Sequence, residues 1–259
     1  MKIAVTGAGG RMGRTLIEAI EADGALTLAA ALEVAGNPAV GTELEKIRVT
    51  SDIDAAVAAA DVLIDFTRPA GTMKHLEACL KHSKLLVIGT TGLSDAERKR
   101  IADGARKIPI VLSPNFAVGV NVLFKVVETA ARALGDGYDV EILEAHHHHK
   151  IDAPSGTALK LGEIVAQALG RDLAKVAVHG RKGDEVGERK PKEIGFHAIR
   201  GGDMVGDHTA LFIGIGERLE LAIRSQSRMT YAAGAVRAAK WLRKKPAGLY
   251  DMFDVLGLK

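Results

Sequence analysis

The sequence predicts an α/β fold in which a doubly wound parallel sheet is followed by an α+β unit with a mixed sheet. Short apolar runs alternate with amphipathic segments through the first half of the chain, and a glycine-rich turn follows the first run. After residue 137, strand-like segments predominate over helical ones. The 259 residues, 47% of them apolar, suffice for two modest domains, each with its own core.

Five apolar runs in the first half predict parallel strands, because strands covered on both faces form continuous apolar segments. These runs are residues 3–5, 26–32, 62–65, 85–88 and 108–112. Between them, apolar residues recur with helical spacing, which predicts crossover helices. The predicted helices are residues 11–22, 54–60, 71–81 and 94–105. Ser94 and Glu97 predict a capping box at the start of the last helix.

A glycine-rich turn joins the first strand to the first helix. Glycines at positions 7, 10 and 13 give the spacing G-x-x-G-x-x-G, a variant of the dinucleotide-binding fingerprint. Such a turn lets a pyrophosphate approach backbone N–H groups at the positive end of the helix. Glu33 ends the second strand, where a carboxylate can bind the adenosine ribose. We predict dinucleotide binding, with a purely structural turn as the alternative.

The residue after Glu33 bears on the choice between the two nicotinamide cofactors. A 2′-phosphate is dianionic and is bound best by a nearby Arg or Lys. This chain has Val34 at that position, although Arg11 and Arg14 offer partial compensation. We therefore predict that NADH is used at least as well as NADPH.

Two further loops follow predicted strands, at the edge of an open sheet where ligands bind. They are residues 65–69 (DFTRP) and 89–92 (GTTG). Their glycine and threonine residues supply backbone donors and hydroxyls that can meet a carboxamide or a phosphate. Taken alone, either loop is equally compatible with simple turn chemistry.

The second half of the chain begins after residues 113–121, where Pro114 and Asn115 predict a hinge. A helix is expected at about 122–134, another at 156–169 and an amphipathic one at 229–242 that returns to the first domain. Strands of a mixed sheet are predicted at 138–145, 195–200, 207–215 and 218–224. We predict a first domain of residues 1–117 completed by 227–259, and a second domain of residues 118–226.

The most informative stretch is residues 144–157, EAHHHHKIDAPSGT, which joins the end of a strand to the start of a helix. That helix start offers the backbone N–H groups of Gly156 and Thr157 to a carboxylate. Imidazoles and Lys150 beside it can neutralise a dianion and supply a proton near neutral pH. The stretch therefore predicts a site for a small dicarboxylate whose reaction requires protonation.

Three other interpretations of the histidine run compete with this one. Affinity tags are normally terminal, whereas this run is internal. Zinc needs converging side chains, but consecutive residues of an extended chain point in alternating directions, so we predict no metal site. Some of the four have no part in the chemistry, and we assign His148 and His149 to that group.

Composition excludes several other classes of function. A net charge of +3 and an aromatic content of 4% argue against a nucleic-acid-binding protein. No apolar run approaches the roughly 20 residues that would cross a bilayer, so no membrane partner is expected. The lone Cys79 rules out an internal disulfide and fits a reducing cytoplasm; it is expected to be a small buried apolar residue rather than a nucleophile.

Six segments, taken in order, resemble the motifs of the 4-hydroxy-tetrahydrodipicolinate reductase family, also called dihydrodipicolinate reductases. They are residues 7–13, 65–69, 89–92, 114–121, 144–157 and 228–234. The resemblance spans essentially the whole chain. Its specific part is 144–157, because a glycine turn alone would not select a family.

The resemblance implies a cytoplasmic, nicotinamide-dependent reductase of the diaminopimelate route to lysine. The first domain would be of the Rossmann type, completed by the C-terminal helix. The second domain would bind the substrate, a small ring dicarboxylate, and its sheet would assemble a homotetramer. The cofactor would be NADH, NADPH or both, with hydride passing to C4 of the ring and a proton to the adjacent carbon.

By the same resemblance, His146 is the proton donor, and Lys150 assists protonation and holds the substrate. His147, Gly156 and Thr157 would bind the substrate carboxylates. The residues expected to contact the cofactor are Gly7, Ala8, Gly9, Gly10, Arg11, Met12, Glu33, Gly89, Thr90, Thr91, Ser113, Pro114, Asn115 and Phe116. Two positions depart from the family pattern, since Val34 and His148 each stand where an Arg is expected.

Two other functions compete with this assignment. An aldehyde dehydrogenase of similar two-domain layout would need a cysteine nucleophile, and Cys79 lies on a predicted helix of the first domain. A non-catalytic redox sensor would explain the glycine turn, but not the imidazoles and Lys150 beside a helix start. Joint binding of NADH and pyridine-2,6-dicarboxylate distinguishes a reductase from a sensor.

Overall fold

The computed structural model describes residues 1–184 and 187–259, which form two compact units. Unit 1 comprises Met1–Val118 and Arg228–Lys259, and unit 2 comprises Gly119–Ser227. The predicted fold class is confirmed, because one sheet is parallel throughout and another is mixed. No helix among the described residues has both the length and the apolar character needed to span a membrane.

The strands, in chain order, are β1 (Lys2–Thr6), β2 (Thr27–Leu32), β3 (Glu43–Leu44), β4 (Ile47–Arg48), β5 (Val62–Asp65), β6 (Leu85–Ile88), β7 (Pro109–Leu112), β8 (Asp139–His146), β9 (Ala177–His179), β10 (Ile194–Arg200), β11 (Gly206–Ile213), β12 (Arg218–Ser225) and β13 (Gly248–Tyr250). The helices are α1 (Arg11–Glu21), α2 (Ile53–Ala59), α3 (Pro69–His82), α4 (Asp95–Ala105), α5 (Val118–Leu134), α6 (Gly156–Ala168), α7 (Leu173–Val176), α8 (Met229–Leu242) and α9 (Met252–Leu256). A short 3₁₀ turn, Gly135–Gly137, follows α5.

The sheet of unit 1 has the strand order β13-β7-β6-β5-β1-β2, and each neighbouring pair is parallel. All four residues of β5 are buried, which explains the apolar run at residues 62–64 of this strand. One core cluster contains residues of α1 and α8, and the other contains residues of α2, α3 and α4. Helices therefore cover both faces, as a doubly wound sheet requires.

Helix starts in unit 1 follow local chemistry. Ser94 and Glu97 form the predicted capping box, in which each side chain accepts a hydrogen bond from the other residue's backbone. Helix α3 begins at Pro69, two residues before the predicted start, because proline suits the first helical position. The helix thus begins directly at the 65–69 loop.

The sheet of unit 2 has the order β12-β11-β8-β10-β9. Strand β8 is antiparallel to β11 and parallel to β10, so β8 lies inside a mixed sheet. The register places His208 opposite Glu144 and Arg200 opposite His146. Helix α6 packs on β8, β10 and β11, which brings its first turn close to the end of β8.

Several short elements were absent from the sequence prediction: β3, β4, β9, β13, α7 and α9. Segments of two to five residues are too short for a periodic pattern to reveal. The predicted strand 207–215 ends at Ile213, since a turn at Gly216, with φ +87°, reverses the chain. Helix α5 begins at Val118 rather than at about 122.

Candidate active site

The glycine turn of unit 1 is shaped by close backbone approach. Gly7 has φ +63°, and a Cβ at Gly13 would collide with the carbonyl of Gly7. Gly10 precedes α1 as its N-cap and donates its N–H to the Gly7 carbonyl at 2.9 Å. Arg11 and half-buried Met12 are the first two residues of the helix. The backbone N–H of buried Ala8 donates a hydrogen bond to the Leu32 carbonyl. This turn can cradle a pyrophosphate at a helix N-terminus.

Glu33 lies against the glycine turn at the end of β2. Its Oε2 accepts the N–H of Gly9 at 3.1 Å, and its Oε1 accepts the N–H of Val34 at 2.9 Å. The side chain of Val34 points away from the core and is 69% exposed. A carboxylate so placed can accept hydrogen bonds from ribose hydroxyls, and no cation follows it in the chain.

The two loops after β5 and β6 are joined by a buried polar network. Asp65 is fully buried and accepts hydrogen bonds from both the backbone N–H and the hydroxyl of Thr67. Its second oxygen lies 3.1 Å from Nδ1 of His75 on α3. The hydroxyl of Thr90, which is also buried, accepts the Thr67 N–H at 3.1 Å. These contacts fix the backbone of both loops at the carboxyl edge of the parallel sheet.

Gly89 and Phe116 are packed around the ring of Phe66. A Cβ at Gly89 would collide with that ring, and the rings of Phe66 and Phe116 lie 5.4 Å apart. Thr91, two residues after Gly89 in the chain, is exposed. The segment of Ser113, Pro114 and Asn115 is shaped locally, because the Ser113 hydroxyl donates to the Asn115 carbonyl at 2.9 Å.

The predicted cofactor residues thus fall at four chain segments that end strands β1, β2, β6 and β7 of one sheet. The carboxyl ends of parallel strands form one edge, where open sheets bind nucleotides. Tight backbone at Gly13 and the carboxylate of Glu33 match a dinucleotide's pyrophosphate and ribose. These residues therefore fit the group that the glycine turn implies.

In unit 2, His146 ends β8 and is buried with Glu144, two residues earlier on the same side of the strand. Its Nδ1 lies 2.6 Å from Oε2 of Glu144. Since the ionised carboxylate can only accept, Nδ1 carries the proton. The other ring nitrogen, Nε2, faces Gly206, where a Cβ would lie 2.9 Å away.

Glu144 is also held by Arg200 at the end of β10. The guanidinium donates to both carboxylate oxygens, at 2.7 and 2.6 Å. Burial by itself raises the pKa of Glu144, but the hydrogen bonds from Arg200 and His146 outweigh it and hold the pKa below its ordinary value. Glu144 is therefore charged at neutral pH.

The start of α6 adjoins this pair through Ser155. Its backbone N–H donates to Oε1 of Glu144 at 3.1 Å, and its hydroxyl caps the helix by accepting the N–H of Ala158. The N–H groups of Gly156 and Thr157 belong to the first turn, where no carbonyl of the same helix accepts them. The start of α6 therefore lies beside the buried pair of Glu144 and His146.

Lys150 follows the histidine run and is bonded to a carboxylate. Its Nζ lies 2.8 Å from both oxygens of Asp152, and this hydrogen bond lowers the pKa of Asp152. The turn from His147 to Lys150 is closed by a backbone hydrogen bond. The structure thus gives the predicted substrate-binding ammonium an internal partner.

The remaining histidines of the run diverge. His147 is half-buried, and its backbone N–H donates to the Met204 carbonyl. His148 is exposed and its Nδ1 bonds the Gly202 carbonyl, while the ring of His149 lies 3.8 Å from that of His148. Across residues 1–184 and 187–259, no group of three or more potential metal ligands converges.

The sequence analysis did not identify three residues that contact the Glu144–His146 pair, namely Arg200, Ser155 and His208. Strand register brings the first and last to β8, and register is fixed by long-range pairing that no local pattern reveals. Ser155 does carry a local signal, since a Ser directly before a predicted helix is a preferred N-cap.

Two family profiles together match nearly the whole chain. The profile described as dihydrodipicolinate reductase, N-terminus, matches residues 1–116. The profile described as dihydrodipicolinate reductase, C-terminus, matches residues 119–256. The first match ends two residues before α5, and the second begins at the second residue of that helix.

Curated relatives match over full length. The 4-hydroxy-tetrahydrodipicolinate reductase of Cupriavidus necator is 54% identical over 266 residues, covering 100% of both chains. That of Nitrosomonas europaea is also 54% identical, covering 100% of this chain and 99% of its own. Among solved structures, dipicolinate-bound dihydrodipicolinate reductase from Paenisporosarcina sp. TG-14 has a TM-score of 0.80 at 24% identity, over 98% of each chain, which supports the fold.

Proposed function

The chain belongs to the dihydrodipicolinate reductase family, and from that membership we propose the part each site residue takes in the reaction. The protein is an NAD(P)H-dependent oxidoreductase that reduces 4-hydroxy-tetrahydrodipicolinate, via dihydrodipicolinate, to tetrahydrodipicolinate. This reaction belongs to the diaminopimelate route to lysine. The observation that carries our assignment of roles is the Glu144–His146 pair, bonded through Ser155 to the start of α6.

Gly156 and Thr157 bind one carboxylate of the substrate through their backbone N–H groups, which lie at the positive end of α6. Lys150 and His147 also bind the substrate; they lie in the segment that joins the end of β8 to the start of α6. When a carboxylate arrives, Lys150 exchanges its bond to Asp152 for one to the substrate. Charge neutralisation and two-point binding together orient the ring for hydride addition.

His146 is the proton donor, and its Nε2 is the atom that delivers the proton to the carbon beside C4. Glu144 orients the ring by accepting from Nδ1, and Arg200 holds Glu144 in the charged form. Gly206 leaves the space in front of Nε2 open, since it has no Cβ. The proton donor His146 is thus held by Glu144 of the same strand, β8, which is itself held by Arg200 of β10.

The reduced nicotinamide, when bound, supplies hydride to C4 of the ring. Gly7 to Met12 accommodate its pyrophosphate, and Glu33 binds the adenosine ribose. The loops at Gly89 to Thr91 and Ser113 to Phe116 contact its remaining part. Tight backbone packing of Gly89 against Phe66 keeps the first of these loops in place.

NADH is used at least as well as NADPH. A 2′-phosphate next to Glu33 would meet a carboxylate and the exposed apolar side chain of Val34, with Arg11 as the neighbouring cation at the start of α1. The carboxylate itself disfavours a dianionic group through like-charge repulsion. A free 2′-hydroxyl can instead donate to Glu33.

The enzyme works in the cytoplasm as a homotetramer. Biosynthesis that consumes reduced nicotinamide takes place there, and the single buried Cys79 suits a reducing compartment. Exposed apolar side chains on three strands of the unit 2 sheet, namely Ile199 on β10, Ile213 on β11 and Leu219 on β12, support assembly through that sheet. Light scattering of the purified protein measures the assembly.

The test of the proton donor is His146→Gln, assayed by loss of reduced-nicotinamide absorbance with enzymatically made substrate. We expect turnover to fall by about 10²-fold or more, the usual contribution of a general acid. Binding of pyridine-2,6-dicarboxylate in the presence of NADH should persist, because the helix start and Lys150 are unchanged. Full activity in this variant would exclude His146 as the donor. If the wild-type protein bound NADH but did not bind the dicarboxylate, a redox sensor would be favoured instead.

A further inference from the structure

His208 is a buried histidine that the roles proposed above leave without a function. It lies on β11 opposite Glu144, and 4% of its surface is exposed. Its Nε2 is 2.8 Å from the hydroxyl oxygen of Ser155. Its ring meets that of His146 edge-on, with centroids 5.1 Å apart and planes at 74°. The ring therefore contacts both the proposed proton donor and Ser155, the N-cap of α6.

The other hydrogen bond of the Ser155 hydroxyl bears on the direction of its bond to His208. The hydroxyl oxygen accepts the N–H of Ala158, so its single proton is available for one other partner. Nε2 of His208 is the atom within reach, and it can accept that proton only if it carries none itself. We take His208 to be protonated at Nδ1 alone, the tautomer in which Nε2 accepts this proton.

The surroundings of His208 favour this neutral form. Burial and the nearby His146 lower its pKa to about 4, against the opposing charge of Glu144, and Lys150 acts in the same direction as His146. Within the described residues, Nδ1 has no hydrogen-bond partner that would stabilise a second charge there. Of the two touching imidazoles, only His146 has a carboxylate partner.

We infer that His208 is a positioning residue, which accepts the Ser155 hydroxyl and thereby fixes the start of α6 against the Glu144–His146 pair. This inference rests on the proposed function, in which that helix start binds a substrate carboxylate and His146 donates the proton. Ser155 is bonded at three points, to Glu144, to Ala158 and to His208, and the third is the one on β11. Loss of that bond lets the carboxylate-binding turn shift relative to the proton donor.

A pair of substitutions separates this role from a general effect on the core. His208→Gln places an amide oxygen at the position of Nε2, so it can still accept from Ser155. His208→Asn is one atom shorter and loses the bond. Ser155→Ala removes the same bond from the other side and also the helix cap. His197→Asn is the control, since His197 lies on β10 of the same sheet, bonded to Glu141 rather than to a site residue.

We expect His208→Asn to raise KM and weaken binding of pyridine-2,6-dicarboxylate by about tenfold, the effect of one lost hydrogen bond in a buried site. His208→Gln should restore both to within about threefold, and His197→Asn should change neither. Combining His208→Asn with Ser155→Ala should add little to Ser155→Ala alone, because the two changes remove one bond. The pH profile of kcat should keep its shape in His208→Gln, since His146 still donates the proton.

The inference is overturned if His208→Gln is as impaired as His208→Asn, if the losses of His208→Asn and Ser155→Ala add fully, or if His208→Gln changes the pH profile. Thermal melting identifies any variant that does not fold, and Ser155→Ala then supplies the comparison with wild type. Wild-type turnover and dicarboxylate binding are measured first. If the wild type shows neither turnover nor dicarboxylate binding, the proposed function is overturned as well. If it shows both, but His208→Gln and His208→Asn do not differ in KM or in dicarboxylate binding, only the role of His208 is overturned.

Discussion

Arg200 and Glu144 form a two-point ion pair, with Nη1 2.7 Å from Oε2 and Nη2 2.6 Å from Oε1. The pair joins β10 to β8 behind the ring of His146, which shares Oε2 of the same carboxylate. Arg200 also donates to the backbone carbonyl of Asp152. One guanidinium thus holds both Glu144, which is bonded to the proposed proton donor, and the loop that carries Lys150.

Removing the charge of Glu144 should reduce turnover more than it weakens substrate binding. In Glu144→Gln the amide can present a donor to Nδ1 of His146, which releases the ring from its orientation and leaves Arg200 without its carboxylate. We expect kcat to fall by about 10-fold to 10²-fold, the usual effect of losing a residue that hydrogen-bonds and orients a functional imidazole. Steady-state kinetics measure this, with Glu128→Gln, a half-buried acid on α5 paired with Lys125 and Arg132, as the control. Unchanged kcat would show that Glu144 does not orient the donor.

Val34→Arg should shift cofactor preference towards NADPH. An Arg after Glu33 can form a charge-assisted pair with the 2′-phosphate, which the present exposed Val cannot. We expect the ratio of kcat/KM for NADPH to that for NADH to rise by about tenfold or more. Val34→Gln is the uncharged control of similar length. An unchanged ratio in Val34→Arg, or strong NADPH preference in wild type, would contradict the prediction.

The architecture of unit 1 could be read from local patterns, because apolar runs, helical periodicity and a glycine turn each act within a few residues. The Ser94 capping box is one such local signal, and the structure confirms it. The edge strand β13 was missed, since three residues near the C-terminus show no period. It is a strand only because β7 is there to pair with it.

In unit 2, the sequence predicted only the site residues that lie within the segment 144–157. His146 and the start of α6 are local in sequence, so their proximity follows from one strand, one turn and one helix. Arg200 and His208 come from strands more than 50 residues away, at positions set by sheet register. Neither Arg nor His in an alternating strand signals a buried partner by itself. Long-range pairing is therefore what the sequence leaves unspecified.

Gly206→Ala should impair proton transfer. A Cβ there would lie 2.9 Å from Nε2 of His146, so the ring must move or its reactive nitrogen is covered. We expect kcat to fall by about 10²-fold, comparable to loss of the general acid. Gly201→Ala is the control in the preceding turn, where a Cβ would meet only the end of Met204 at 4.0 Å. Wild-type kcat in Gly206→Ala would mean that Nε2 does not act through this space.

Asp65→Asn should destabilise unit 1 and weaken cofactor binding. Burial alone would raise the pKa of Asp65, but its hydrogen bonds with His75 and the neighbouring threonines lower it, so the carboxylate is charged at neutral pH. Removing the charge of this hydrogen-bonded buried carboxylate costs about 3 kcal/mol, and the Thr67 loop loses its anchor. Denaturant unfolding and NADH titration measure both effects. The exposed Asp54→Asn should cost less than about 1 kcal/mol, and equal losses in the two variants would refute the distinction.

The stability of the wild type should fall with acidification more steeply than that of His208→Gln. Above pH 6.5 His208 is neutral in both the folded and the unfolded chain, so it contributes no pH dependence there. Between pH 6.5 and about 4 the unfolded chain binds a proton that the folded one does not, which favours unfolding. Each pKa unit corresponds to about 1.4 kcal/mol, so the full loss is about 3 kcal/mol. Glu144 and the other carboxylates are common to both proteins and cancel in the comparison. Free energies of unfolding, measured in denaturant from pH 7 to pH 4, should therefore diverge, and parallel curves would show that His208 accepts a proton in the folded protein.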